Sequence, residues 1–127
     1  MVQPSRDLLR GSLELVILTE LSDDSRYGYQ ILSGLKTRSG GRVDLKAGTL
    51  YPLLHKLERD GFVSSHWDQT SGRDRKFYTL TERGRAKLRS DARAWLDYSA
   101  CVRGLLHPIL NLLSPERGPA PEPEPNR

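Results

Sequence analysis

One cysteine, Cys101, is present in 127 residues, so no intrachain disulfide can form and the fold must rest on packing. A reducing compartment is the natural setting for such a chain. Long apolar runs are missing too. No stretch reaches the roughly 18 apolar residues that cross a bilayer, and no signal-peptide pattern opens the chain, so we expect a soluble cytoplasmic protein with no membrane partner. Aromatic residues make up 7% of the chain and hydrophobic residues 36%, which leaves part of it outside any core. Marks of catalysis are equally scarce. His55, His66 and His107 are not spaced as metal ligands, and Cys101 with His107 makes no ligand set. There is no glycine-rich phosphate loop ending in Lys-Ser/Thr and no nucleophile elbow. We expect no enzyme, no metal and no cofactor.

What the chain does have is positive charge, +4 overall with a pI near 9.5. The stretch from Ser114 holds five of the eight prolines and nets −1, leaving +5 on residues 1–113. Too poor in apolar side chains to offset its ordering entropy, residues 114–127 are expected to form a disordered tail. A basic body suits a polyanionic partner.

The most informative stretch runs from Gly48 to Val63. Leu50, Leu53, Leu54 and Leu57 fall on one face at helical spacing. Gly48, Pro52, His55 and Arg59 lie opposite, with Tyr51 and Lys56 on the flanks. Gly61 then stops the helix. From Val63 the period changes to two, and a polar turn over 69–74 leads into Arg75 to Leu80, with Tyr78 and Leu80 inward. Val63, Ser65 and Trp67 share a strand face, so Trp67 is expected inward, anchoring the hairpin. A short helix with a basic, hydroxyl-bearing face, followed by a basic hairpin, suits a winged helix-turn-helix entering a DNA groove.

Two helices precede it, about Asp7 to Leu21 and Arg26 to Arg38, the second capped by Asp24 or Ser25. Gly28 and Gly34 weaken the second and suggest close packing. Arg42 to Leu45 reads as a very short strand. Lys46 is a poor start for the third helix, with Asp44 as a substitute cap. After the hairpin, Thr81 caps a long last helix, with Glu82 in its first turn. In it Leu88, Ala92, Trp95, Ser99, Val102, Leu106, Ile109 and Leu113 recur at alternating steps of four and three. Pro108 should end or kink the helix near His107. A seam this long asks for a second copy of the chain to cover it.

Four motifs carry a family likeness: Tyr27-Gly28-Tyr29, Gly48-Thr49-Leu50-Tyr51, Leu57-Glu58-Arg59-Asp60-Gly61 and Leu80-Thr81-Glu82-Arg83-Gly84. On these the chain resembles the PadR family of bacterial transcriptional regulators, specifically its short members with a single C-terminal helix. The resemblance covers roughly residues 8–88. It implies an N-terminal winged helix, a dimer through the C-terminal helix, and repression relieved by a small molecule. It also implies a central cleft for hydrophobic ligands. Lys46 and the proline-rich tail depart from the family pattern.

The expected architecture is mainly α with a small β component (α+β). It comprises a winged helix-turn-helix over 1–80, a dimerisation helix over 81–113 and the tail. Thr49, Tyr51, Pro52, His55 and Lys56 are the candidate groove-facing residues of the third helix. Arg73, Arg75 and Lys76 at the hairpin tip, and Tyr27, are candidate phosphate or minor-groove contacts. The competing reading is an ordinary solvated face for the helix and hairpin residues, partial burial for Tyr51, and a tyrosine packed on the core for Tyr27. Trp95, Ser99, Val102, Leu106 and Ile109 are the candidate dimer contacts. Trp95, brought near its symmetry mate, is also the candidate platform for a flat hydrophobic or aromatic effector. The expected partners are thus double-stranded operator DNA, a second copy and such an effector. The rival is a winged-helix protein-interaction module without DNA binding.

Overall fold

Among the described residues, helical and strand periods in the sequence become four helices, a three-stranded sheet and a terminal 3-10 turn. The structure, a computed structural model, describes residues 6–70 and 72–113, with side chains from residue 12 onward. The expected tail lies outside the described residues. In chain order the elements are α1 (Arg6–Glu20), β1 (Arg26–Tyr27), α2 (Gly28–Arg38), α3 (Ala47–Arg59), β2 (Val63–Asp68), β3 (Arg75–Leu80) and α4 (Glu82–Leu106). A 3-10 segment, His107–Leu113, follows. Two compact units divide the chain, Met1–Ala92 and Arg93–Arg127.

The first unit is a winged helix. Its core joins Ile17, Leu18 and Leu21 to Ile31 and Leu35 of α2, and to Leu50, Leu54 and Leu57 of α3. Val63, Tyr78 and Leu80 of the hairpin close it. Each leucine buried this fully contributes about 1.5–3 kcal/mol relative to exposure. Leu53, on the expected inward face, is only partly covered and packs at the core's edge, as does Leu32.

β2 and β3 pair antiparallel from Val63↔Leu80 to Asp68↔Arg75. β1 adds a third strand, giving the order β1-β3-β2, through Arg26↔Tyr78 and Tyr27↔Phe77. This corrects the expected start of the second helix, because Arg26 and Tyr27 are strand. The free edge of β3 offers backbone partners that a first helical turn would leave unmet. Asp24 and Ser25 do not cap α2. Asp24 accepts the Ser25 N–H at 2.8 Å, and the Ser25 hydroxyl bonds that of Thr79. Instead the Gln30 side chain accepts the Tyr27 N–H at 3.1 Å.

Residues 42–45 form no strand either; Val43 and Leu45 pack against the core from irregular backbone. Asp44 faces Lys36 at 3.8 Å and does not cap α3, whose N-cap residue, Lys46, makes no side-chain capping bond. The other end is well made. Gly61, at φ +84°, donates to the Glu58 carbonyl while Phe62 donates to Leu57, a left-handed glycine termination.

Both helical glycines singled out for close packing prove to be close approaches. A Cβ on Gly28 would overlap the Tyr51 hydroxyl, and one on Gly34 would overlap the Glu20 carboxylate. Glu20 is buried, and Arg38 pairs with it at 2.5 Å. Gly84 is tighter still, since a Cβ there would run into the backbone carbonyl of Phe62. Thr81 caps α4 as expected: its hydroxyl accepts the Gly84 N–H at 3.0 Å and donates to the Gly61 carbonyl at 2.7 Å.

In the second unit, α4 gives way to 3-10 geometry at His107, one residue before Pro108, because proline supplies no N–H for the α-helical bond. Trp95, Leu106 and Ile109 are exposed, while Ser99 and Val102 are half-buried. Leu96, Tyr98, Leu105, Leu112 and Leu113 add to this exposed apolar surface. Among the described residues no helix is long and apolar enough to cross a membrane.

Gly84→Ala should destabilise the protein by about 1–3 kcal/mol, since the obstacle is backbone and cannot rotate away. Urea denaturation followed by circular dichroism measures this, and an unchanged midpoint would contradict the close approach.

Candidate nucleic-acid interface

α3 presents its leucines inward, so Thr49, Tyr51, Pro52, His55, Lys56 and Arg59 are left on its exposed side. Pro52, inside α3, has no N–H for the Gly48 carbonyl, and both residues sit on that exposed side. The hairpin folds back beside this surface, and a cleft of about 530 Å³ opens between them. Six of the expected site residues line it together: Tyr27, Tyr51, His55, Arg73, Arg75 and Lys76. Thr49, Pro52 and Lys56 are not among its lining residues.

The cleft is organised by aromatic rings and ion pairs. Tyr51 fits over the bare Cα of Gly28 and stands 6.4 Å from the His55 ring. Tyr27 meets Phe77 edge-on at 5.3 Å, and Phe77 stacks on His66 at 5.8 Å. These three residues are cross-strand neighbours in register. The Arg75 guanidinium lies 4.6 Å from the centre of the Tyr27 ring, a contact worth about 0.5–1 kcal/mol at an exposed site. Lys76 points the other way, 4.0 Å from Glu58 and 5.7 Å from the Tyr78 ring centre. Burial, with the Glu58 charge second, pushes the Tyr78 phenol above its usual range, so it stays neutral.

Arg73 sits exposed at the turn, beside Gly72 at φ +81°. The turn is tied down by Asp68, which accepts the Thr70 N–H at 2.9 Å and its hydroxyl at 2.8 Å. Those two bonds hold the Asp68 carboxyl below its ordinary pKa.

A profile described as "Transcriptional regulator PadR-like family" matches residues 17–90. The chain belongs to this family. All four motifs singled out in the sequence fall within that span. The chain is 40% identical over 99 residues to "Transcriptional regulator Rv3488" of Mycobacterium tuberculosis, covering 78% of this chain and 90% of that protein. A PadR family transcriptional regulator from Eggerthella lenta has a similar structure, with TM-score 0.70 and 33% identity over 79% of this chain and 86% of that one. A PadR-like transcriptional regulator from Bacillus cereus aligns with TM-score 0.71 and 29% identity, covering 79% and 96%. As a PadR-like protein the chain is a transcriptional regulator and not an enzyme. No cluster of metal-binding side chains occurs among the described residues.

One residue of this PadR-like winged helix, Trp67, stands elsewhere than its sequence pattern suggests, and another, Lys56, is engaged by an ion pair to a distant helix. Trp67 shares a strand face with buried Val63, yet 64% of it is exposed. It lies at the far end of β2, two residues past Ser65, whose hydroxyl donates to Glu58 of α3, and it lines the cleft instead. Alternation predicts a residue's face but not where cover runs out. Lys56 leans toward α1: its ammonium meets Glu14 at 3.2 Å and Asp60 at 3.4 Å. Glu14 also reaches Lys87 of α4 at 3.7 Å, so one carboxylate links three helices.

The hydrogen bond and charge of Glu14, then of Asp60, raise the Lys56 pKa above its ordinary 10.5. The ion pair's contribution is therefore full below about pH 10.5 and is lost as pH rises through the raised value. Glu14→Gln should return the Lys56 titration toward its ordinary value, read from the 13Cε shift. A titration unmoved by the substitution would place the ammonium elsewhere.

Proposed function

We propose that this PadR-like regulator is a cytoplasmic homodimer that represses transcription by occupying a palindromic operator. In this reading residues 1–80 bind DNA and residues 81–113 join two copies. α3 enters the major groove with Thr49, Tyr51, Pro52 and His55 toward the bases and their flanking phosphates. Lys56 exchanges Glu14 for a phosphate as the groove closes on α3. Tyr27 and the hairpin residues Arg73, Arg75 and Lys76 hold the adjoining backbone. Two such surfaces related by a twofold axis would address grooves about 34 Å apart.

The observation that carries this reading is the single cleft in which Tyr51 and His55 of α3 face Arg73, Arg75 and Lys76 of the hairpin. Support for the dimer comes from the exposed apolar side chains of the second unit, among them Trp95, Leu106 and Ile109. With Ser99 and Val102 they follow a heptad-like spacing that suits a helix from another copy. At that interface paired Trp95 rings form the platform for a flat hydrophobic or aromatic effector. Its binding favours a spacing of the two winged helices that does not match the operator.

Selecting bound duplexes from a random pool should return sites with twofold symmetry. On such a site Arg73→Ala should lower the slope of log K against log salt by about 0.9, one phosphate contact. Affinity that is flat with salt would instead identify a protein-interaction module. Leu106→Asp should convert the dimer to monomer in sedimentation velocity and weaken operator binding with it; a wild-type chain monomeric at micromolar concentration would remove the twofold arrangement.

A further inference from the structure

The geometry points to Trp67 as a DNA-contacting residue, its indole packed against the deoxyribose faces of the strand that passes between α3 and the hairpin. This rests on the DNA-binding reading and adds to it an uncharged contact that carries affinity independently of salt. Trp67 is 64% exposed although it occupies the inner face of β2. Along that face Val63 is buried and Ser65 is tied to Glu58 of α3. Trp67 lies beyond that cover, directly opposite Lys76, in the cleft shared with Tyr51, His55 and Arg73.

The surroundings select the occupant. A protein partner is met by a broad apolar patch depleted of charge, whereas here Arg73, Asp74, Arg75 and Lys76 line the cleft together with Trp67 and three tyrosines, a net positive set. A nucleic-acid strand alternates phosphates with apolar sugar faces. Arg73 and Lys76 beside an indole match that alternation in both charge and polarity.

The test uses the full chain and a duplex recovered by selection. With 5-fluorotryptophan incorporated, the 19F resonance absent from Trp67→Phe is that of Trp67, and it should shift as the duplex saturates the protein. Trp67→Ala should bind about tenfold more weakly, the scale of covering part of an indole, and Trp67→Phe should fall between. The slope of log K against log salt should not change, because no phosphate contact is lost. Trp67→Ala should also melt with the wild type. Wild-type affinity in Trp67→Ala, a slope lowered by about one, or a resonance unmoved at saturation would each overturn the assignment. So would unfolding of Trp67→Ala, which would make the indole a structural anchor. If the wild type still shows an Arg73-dependent slope in any of these cases, the DNA-binding reading survives alone. If it selects no duplex, both fall.

Discussion

The hydroxyl of Thr81 donates to the carbonyl of Gly61 and accepts the N–H of Gly84, and the geometry of the interface depends on that junction. Gly61 ends α3, Thr81 follows β3, and Gly84 lies in the first turn of α4. One side chain therefore fixes the end of α3 against both hairpin and last helix. The Thr81 N–H adds a bond to the Phe62 carbonyl at 3.2 Å, and that same carbonyl occupies the space a Cβ on Gly84 would need. Gly61 has to be left-handed and Gly84 has to be bare for these backbones to meet. With the junction closed, the hairpin returns beside α3 and a cleft forms.

Charges in that cleft are held in place, not scattered. Arg75 rests on the Tyr27 ring, Lys76 reaches toward Glu58, and Asp68 ties the turn that carries Arg73. A cation pre-positioned in this way loses less side-chain entropy on meeting a phosphate than a free one. Lys56 is different, since its ammonium is shared between Glu14 and Asp60. Because Glu14 also contacts Lys87, the basic flank of α3 and the start of α4 respond to one carboxylate.

Much of this was legible in the sequence. Leucines at helical spacing marked α3, the change of period at Val63 marked the hairpin, and Gly61, Thr81 and Pro108 marked the boundaries where they are found. Such signals are local, which is why they can be read from neighbours in the chain. Errors arose where the deciding partner was distant. Arg26 and Tyr27 are strand because β3, some fifty residues later, offers them an edge. Trp67 alternates with the inward residues yet stands exposed, because it lines the open cleft between α3 and the hairpin.

By itself the sequence determined the order and kind of the main elements, the family and the basic character of the chain, since periodicity, capping and turn chemistry act over a few residues. Only the tertiary structure decided which side chains share the cleft and which cation is engaged elsewhere. It also decided that an indole expected in the core lines the cleft. Those outcomes depend on distances between segments far apart in the chain, and such distances exist only once backbone closures such as Gly28 on Tyr51 and Gly84 on Phe62 have been made.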